Sequence, residues 1–267
     1  MPHKTGNMIR PKKKLGQHFL KDEDIARRIV EQLQFSAVSN QINHVVEIGP
    51  GTGALTKFLL KNGSIRLSMI EIDHESVLFI KNQFPHAKEN IIEADILKVN
   101  LDHLFSPKVS IIGNLPYNIA SQIFFRVLEH RLHVDQLVCM LQKEVAERIC
   151  SKHGNKKYGI LSVLIQAFYD CENLFDVEPT AFYPIPKVTS AVIRLKRNSN
   201  LKLDCDENYF QFIVKQAFQK RRKTLRNALK HLNLPPSVIE LDLMSLRPEQ
   251  LCVSDYIFLT QRIKSHE

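Results

Sequence analysis

The stretch HVVEIGPGTG, residues 44–53, joins an apolar run to a cluster of glycines. The apolar run predicts a buried strand, and Gly49, Gly51 and Gly53 predict a tight turn where a ligand can lie against the backbone. A helix-like segment, ALTKFLLKN, follows at once. This order is typical of nucleotide-binding α/β folds, although a tight turn without a ligand remains the alternative. No lysine or hydroxyl residue follows in P-loop spacing, which argues against a triphosphate ligand.

The same alternation continues along the chain. Further apolar runs are IRLSMIEI (65–72), NIIEAD (90–95), KVSIIGN (108–114) and VDQLVCML (134–141), with helix-like segments between them. Alternating strands and helices predict an α/β fold with a doubly wound, mostly parallel sheet that is buried on both faces. A late strand, SAVIRLK, precedes a polar stretch at 197–208 and then helical patterns. We therefore predict a ligand-binding domain at 1–197 and a small helical C-terminal domain at 198–267.

Acidic residues end two of the predicted strands. Glu71 ends the second strand and Asp95 the third, so both are expected at the carboxyl edge of the sheet, where ligands bind in open α/β folds. Glu71 there can accept hydrogen bonds from ribose hydroxyls, and a solvated carboxylate is the alternative. Carboxylates favour a cofactor that carries positive charge and hydroxyls, as S-adenosylmethionine does. This points to methyl transfer in a Rossmann-like class I methyltransferase fold.

The stretch GNLPYN, residues 113–118, ends the fourth strand at the same edge. The oxygen of Asn114 and a backbone carbonyl near Leu115 can each accept one N–H bond of a nucleobase amine, which would aim its lone pair at the methyl group. Pro116 stiffens the turn, and Tyr117 offers a ring for stacking the base. A plain Asn/Pro turn is the alternative.

Several motifs together are similar to those of the ribosomal RNA adenine dimethyltransferase family. They are LGQHFL (15–20), VEIGPGTGALT (46–56), GNLPYN (113–118), LQKEVAERI (141–149), FYPIPKVTSAVIRL (182–195) and FQKRRKTLRN (218–227), and they cover nearly the whole chain. The resemblance implies that the basic segment 1–21 folds over the cofactor. His18 departs from the family pattern, which often has Asn at this position.

The resemblance also implies roles for individual residues. It assigns cofactor contacts to His18, Leu20, Gly49, Gly51, Glu71, Asp95 and Asn114, and contacts with the target base to Asn114, Pro116, Tyr117 and Phe182. Phe182 would be the second aromatic residue that closes on a flipped base. Without the family resemblance, the sequence favours a Phe182 that packs in the core or a loop. The implied reaction is N6,N6-dimethylation of two adjacent adenosines in the 3′-terminal hairpin loop of 16S rRNA, in the small subunit or its precursor.

The charge of the chain supports a polyanionic partner. The formal net charge is +9 and the isoelectric point about 9.3. We expect phosphate contacts from the basic cluster of Lys220, Arg221, Arg222, Lys223 and Arg226. A solvated basic helix is the alternative. Two other functions stay open, namely a large-subunit rRNA methyltransferase of the macrolide-resistance type and a non-catalytic RNA-binding relative.

The cysteines, apolar runs and histidines indicate the cellular compartment and bear on membrane and metal binding. The five cysteines are scattered without a CxxC pair, which argues for a reducing compartment, and no apolar run is long enough for a membrane span. We therefore expect a cytoplasmic monomer that is not attached to a membrane. His130 and His133 form an HxxH pair without a further ligand, so we expect no metal.

Overall fold

The computed structural model describes residues 9–35, 42–101 and 108–265. The strands in these ranges are β1 (Phe19–Leu20), β2 (Asn43–Ile48), β3 (Ile65–Glu71), β4 (Ile91–Glu93), β5 (Val109–Asn114), β6 (Val134–Gln142), β7 (Tyr169–Val177), β8 (Phe182–Tyr183) and β9 (Ser190–Arg197). The α-helices are α1 (Glu23–Val30), α2 (Thr56–Leu59), α3 (His74–Gln83), α4 (Ala120–Glu129), α5 (Lys143–Cys150), α6 (Ile160–Gln166), α7 (Glu207–Gln219), α8 (Leu225–Ala228), α9 (Pro236–Ile239) and α10 (Val253–Lys264). Short 3₁₀ turns span Lys13–Leu15, Pro85–Asn90, Pro179–Ala181, Lys230–Leu232, Asp242–Ser245 and Pro248–Gln250.

Seven strands form one sheet in the order β4-β3-β2-β5-β6-β9-β7. The pairs β2–β3, β3–β4, β2–β5 and β5–β6 are parallel, and β6–β9 is antiparallel. From β2 the chain first builds outward through β3 and β4, then returns to the other side of β2 for β5 and β6. The strand order therefore reverses between β2 and β5, and ligands of open α/β sheets bind at the carboxyl ends of strands beside such a reversal.

The register brings the predicted site residues to this reversal. Ile48 of β2 is opposite Ile70 of β3, so the glycine turn starts level with Glu71. On the other side, Glu47 is opposite Ile112, so β5 ends two residues later at Asn114. A Cβ atom on Gly113 would lie 2.6 Å from the carbonyl oxygen of Ile48, a distance that side chains do not tolerate. Glycine at 113 thus lets the two strand ends approach each other.

The core of this region explains the apolar runs. Val45, Met69, Ile112 and Val138 have almost no exposed surface and belong to one buried cluster, to which α1 and α3 also contribute. Four consecutive residues at the end of β2 are buried, as expected for a strand covered on both faces. Asp22 accepts hydrogen bonds from the amides of Asp24 and Ile25 and so caps α1, as its sequence position suggested.

The chain divides into two compact units, residues 1–146 with 172–196 and residues 147–171 with 197–267. The second unit has two segments. Its longer segment starts at residue 197, next to the predicted domain boundary, and its shorter segment, 147–171, was predicted to belong to the first domain. Inside it α7 packs against α6 and α10. The aromatic rings of Tyr158 and Tyr256 lie close to the ring of Phe218, at centroid distances of 6.4 and 6.3 Å.

Two local predictions differ from the structure. Residues 169–177 form the strand β7, which the sequence pattern did not predict because its polar residues do not show a strict alternation. The basic segment after α7 is not helical throughout, since α7 ends at Gln219 and residues 220–223 form a turn with Lys223 N donating to Lys220 O at 2.8 Å. The helix α8 starts only at Leu225.

Candidate active site

A cavity lies at the carboxyl ends of the strands, within the first unit. Its walls come from four places: the N-terminal segment, the glycine turn after β2, the ends of β3 and β4, and the GNLPYN segment after β5. It is lined by 15–20, 47–52, 54–55, 70–72, 94–97 and 114–119. Nine predicted site residues are among these: His18, Leu20, Gly49, Gly51, Glu71, Asp95, Asn114, Pro116 and Tyr117.

The glycine turn and Glu71 are tied to each other. Gly49 and Gly51 have φ values of +67° and +53°, a region that favours glycine. The amide of Gly51 donates to Glu71 Oε2 at 3.1 Å, while Glu71 Oε1 accepts from the amides of Ile72 and Asp73 at 2.9 Å. Burial raises the pKa of Glu71 against the opposing effect of these amides. The three hydrogen bonds hold the carboxyl group rigidly at the end of β3.

Asp95 lies at the next strand end, two residues beyond β4. Its Oδ1 accepts from the amide of Leu97 at 2.9 Å, and its backbone oxygen accepts from the amides of Lys98 and Val99. These bonds fold the chain into a turn and leave the side chain in the cavity wall, a quarter exposed. Asp95 thus has the position that the sequence predicted for it.

Glu47 is a site residue that the sequence pattern did not single out. It lines the cavity, is buried, and accepts from Thr56 Oγ1 at 2.7 Å. Burial raises the pKa of Glu47 to about 8, and the nearby Glu71 adds to the shift. The sequence feature that could have identified Glu47 is its position inside the apolar run VVEI, because an ionisable side chain is rarely buried without a specific role.

The N-terminal segment is fastened beside Glu71 by an ionic contact. Lys12 Nζ bonds to Asp73 and lies 3.0 Å from Glu75, and Gln17 Nε2 donates to Asp73 Oδ2 at 3.2 Å. Burial alone would raise the pKa of Asp73, but its hydrogen bonds with Lys12, Gln17 and Ser76 outweigh burial and lower it. Further along this segment, the ring of Phe19 lies 3.0 Å from where a Cβ of Gly51 would be.

Asn114 joins the N-terminal segment to the end of β5. Its Nδ2 donates to the backbone oxygen of His18 at 2.8 Å. A carbonyl oxygen only accepts, so this bond fixes which end of the amide faces His18, and Oδ1 is the end that can accept from a ligand. The amide of Leu115 donates to Met140 O at 2.9 Å, which extends the β5–β6 pairing by one residue and fixes the start of the LPY turn.

Tyr117 is held at its hydroxyl and on its ring. The hydroxyl and Ser190 Oγ are 2.6 Å apart, and Ser190 is buried. Burial raises the pKa of Tyr117, so the phenol is neutral at physiological pH. The ring of His18 stacks on the tyrosine ring with centroids 5.5 Å apart and planes inclined by 25°.

Among the residues predicted to contact the cofactor or the target base, Phe182 does not line the cavity. It is 0% exposed, lies opposite Leu20 in the β1–β8 pair, and belongs to the buried cluster of the first unit. Contact with a base would require this buried side chain to become exposed. The neighbouring Tyr183, opposite Phe19, is 60% exposed. The alternation of side chains along a strand explains why one aromatic faces the core and the next faces solvent.

The predicted RNA-binding residues lie in the second unit. Lys220, Arg222 and Lys223 are exposed in the turn after α7. Arg221 bonds to the backbone oxygen of Lys156 and lies 3.8 Å from Glu249, and Arg226 donates to Ile239 O at 2.9 Å. Two of the five basic residues therefore also hold loops of this unit together.

The described part of the chain contains neither a metal-binding cluster nor a helix that could cross a membrane. Within 9–35, 42–101 and 108–265, no three His, Cys, Asp or Glu side chains are arranged to bind a metal ion. None of the helices in these same ranges combines the length and the apolar character that crossing a membrane requires.

The chain is similar to known proteins along nearly its whole length. Residues 8–243 match the family described as Ribosomal RNA adenine dimethylase. The chain is 48% identical over 255 residues to Ribosomal RNA small subunit methyltransferase A of Cytophaga hutchinsonii, covering 96% of this chain and 98% of the relative. It is 50% identical over 258 residues to the protein of the same name from Flavobacterium johnsoniae, covering 96% and 97%.

Solved structures agree with these matches. A dimethyladenosine transferase from Plasmodium falciparum superposes with a TM-score of 0.77 at 26% identity, covering 93% of this chain and 98% of the other. The 23S rRNA methyltransferase ErmE superposes with a TM-score of 0.66 at 23% identity, covering 92% and 99%. The predicted Rossmann-like class I methyltransferase fold is confirmed.

Proposed function

The chain belongs to the ribosomal RNA adenine dimethylase family, and from this premise we propose that its substrate is the small-subunit rRNA. It is an rRNA adenine dimethyltransferase. In the proposed reaction two methyl groups pass from S-adenosylmethionine to N6 of each of two adjacent adenosines in the 3′-terminal hairpin loop of 16S rRNA. The RNA is methylated within the small subunit or its precursor.

The cavity suits S-adenosylmethionine in the chemistry of its walls. When bound, this cofactor supplies a methyl group carried on a positively charged sulfur. Glu71, held by three backbone amides, would accept bonds from the ribose hydroxyls, and Asp95 would accept from the adenine amine. The backbone at Gly49 and Gly51 allows close approach, and Leu20 together with the backbone of His18 would cover the site from the N-terminal segment.

The orientation of Asn114 carries the proposal. With Nδ2 bonded to His18 O, Asn114 presents Oδ1 as an acceptor for one N–H bond of the target amine. The backbone carbonyl of Leu115 would accept the other. An exocyclic adenine amine is a weak nucleophile because its lone pair is delocalised into the ring. In the first transfer two acceptors draw the nitrogen toward tetrahedral geometry and aim the lone pair, so positioning and fixed dipoles replace a strong base. The methylated amine keeps one N–H bond, which one of the two acceptors can bind in the second transfer.

Base binding is assigned to Tyr117, whose ring is held by Ser190 and His18. Stacking on an aromatic ring is worth about 1–3 kcal/mol per base and suits an unpaired loop, whose bases unstack at low cost. The predicted contact of Phe182 with the base would require its buried side chain to become exposed. Tyr183 is the exposed aromatic in the same strand and the more accessible candidate for a second contact.

The choice of small-subunit rRNA rests on the relatives. The two bacterial relatives named for the small subunit are 48% and 50% identical to this chain, whereas the large-subunit enzyme ErmE is 23% identical. The likeness to ErmE supports the shared fold alone. Lys220, Arg222 and Lys223, exposed in the turn after α7, are proposed to contact RNA phosphates.

Transfer of labelled methyl groups to ribosomal subunits tests the function. Under-methylated small subunits, isolated from cells that lack this protein, should accept label at two adjacent adenosines located by primer extension. Large subunits treated in parallel are the control. Label confined to the large subunit would replace the proposal with the large-subunit reaction. RNA binding without any transfer would indicate a non-catalytic relative.

A further inference from the structure

His18 makes two kinds of contact with the base-binding side of the cavity. Through its backbone oxygen it holds the amide of Asn114, and through its ring it stacks on Tyr117. The backbone contact can form with any residue at position 18. The ring contact depends on the histidine side chain itself, and the Asn that is frequent at this position in the family has no ring to supply.

The orientation of the His18 ring is fixed by a third contact. Nδ1 lies 2.7 Å from the backbone oxygen of Pro184, which follows β8. Because a carbonyl only accepts, Nδ1 carries the proton and donates this bond. The imidazole is therefore anchored at one edge while its face lies against Tyr117.

Tyr117 is thus restrained from two directions. Ser190 holds its hydroxyl at 2.6 Å, and His18 covers one face of its ring. The contacts with Pro184 and Ser190 anchor both ends of the 184–190 loop to the site. A ring restrained at its tip and on one face has few orientations left to it, as a stacking platform requires.

We propose that His18 is a positioning residue for the target adenine, which holds the ring of Tyr117 in the orientation that stacks the base. The inference rests on the proposed function, since that function gives Tyr117 its base-binding role. It assigns the imidazole to the RNA side of the cavity and not to the cofactor. His18 acts through Tyr117 and is not itself a catalytic residue.

Three substitutions separate the contacts of the side chain. His18→Ala removes the stacking and the bond to Pro184. His18→Asn keeps a donor for Pro184 and lacks a ring, whereas His18→Phe keeps a ring and lacks the donor. All three keep the backbone oxygen that Asn114 uses. A positioning role through stacking predicts that Phe rescues the function and Asn does not.

Steady-state kinetics with under-methylated small subunits give the first readout. An aromatic pair is worth about 0.5–1.5 kcal/mol, so His18→Ala and His18→Asn should raise KM for the subunit about 2- to 10-fold and change kcat less. His18→Phe should stay close to the unsubstituted protein. The dissociation constant of S-adenosylmethionine, measured by calorimetry, should be the same in all three variants.

The ring of Tyr117 gives a second readout that needs no activity. The chain has six tyrosines, so the aromatic NMR signal of Tyr117 in the free protein is assigned by its loss in Tyr117→Phe. The signal should shift in His18→Ala and His18→Asn, and His18→Phe should keep a ring-current shift. This holds even if the unsubstituted protein transfers no methyl group, a result that would refute the proposed function alone.

The proposal is overturned by either of two results. One is a Tyr117 signal that is the same in His18→Ala as in the unsubstituted protein. The other is a loss of cofactor affinity in His18→Ala and His18→Asn with an unchanged KM for the subunit, which would assign the imidazole to the cofactor. Equal thermal unfolding temperatures among the variants exclude a general loss of structure as the cause.

Discussion

The GNLPYN segment and the basic segment KRRKTLRN were both singled out in the sequence, and they differ in how their side chains are held. In the first unit, Asn114 and Tyr117 are bonded to residues that lie 96 and 73 positions away in the chain. In the second unit, Lys220, Arg222 and Lys223 are exposed in a turn. The first segment is a site of fixed geometry, and the second is a surface of charge.

The difference shows which physical variable each region should respond to. Buried acids beside the GNLPYN segment have shifted pKa values, so this region should respond to pH and to the exact shape of a side chain. Exposed cations act on phosphates through screened attraction, so the basic turn should respond to salt and to the number of charges. Four predictions test this contrast, from the largest expected effect to the smallest.

The largest effect is expected for Asn114→Ala. Removing a fixed hydrogen-bonding group that acts on the reacting amine should lower kcat by at least about 100-fold. Single-turnover methyl transfer measures it, with Asn62→Ala, an exposed turn residue, as the control. The cofactor should still bind, because Asn114 supplies one contact among many. Turnover within a few-fold of the unsubstituted protein would remove Asn114 from the mechanism.

The second prediction concerns the buried acid Glu47. Its pKa of about 8 is above the value near 4.5 of an unburied glutamate, so the folded protein binds more protons than the unfolded chain between these pH values. The free energy of unfolding should therefore fall as pH rises from about 5 to 8, by an amount on the order of a few kcal/mol. Glu47→Gln keeps an acceptor for Thr56 and should remove this part of the pH dependence.

Urea unfolding of both proteins at several pH values between about 5 and 9 provides the measurement. The difference in stability between Glu47→Gln and the unsubstituted protein should grow up to a pH of about 8 and then level off. Titrating groups that do not interact with Glu47 cancel in this difference. A difference that is the same at every pH would mean that Glu47 is ionised throughout the range.

The third prediction tests the basic turn. Replacing Lys220, Arg222 and Lys223 together by Ala should weaken binding of the small-subunit RNA roughly 10-fold and reduce the slope of log affinity against log salt by about 2 to 3. Filter binding at several salt concentrations measures both. Lys202→Ala, an exposed lysine of the same unit, is the control. If the slope stays the same, RNA phosphates are contacted elsewhere.

The smallest effect separates Arg221 from its neighbours. Since its guanidinium bonds to Lys156 O and approaches Glu249, Arg221→Ala should lower the stability of the protein by about 1 kcal/mol and change the salt slope less than Arg222→Ala does. Thermal unfolding and filter binding compare the two variants. A larger change in the salt slope for Arg221→Ala than for Arg222→Ala would mean that the Arg221 guanidinium mainly contacts RNA phosphates.

The sequence by itself determined the parallel part of the sheet and the place of the site. The apolar runs, the glycine turn and the acids at the ends of β3 and β4 predicted where ligand contacts converge, because the carboxyl ends of parallel strands meet at one edge whatever the details of packing. Asn114, Pro116 and Tyr117 could be found for the same reason. These features depend on spacing along one or two neighbouring elements.

Only the tertiary structure decided which of these residues are held, buried or exposed. It buried Phe182 and exposed Tyr183, added Glu47, fastened Lys12 to Asp73, and engaged Arg221 within its own unit. It also joined His18 to Pro184 across 166 positions of the chain. Burial and hydrogen-bond partners depend on segments that are distant in sequence. A local sequence pattern does not specify which distant segment packs against it.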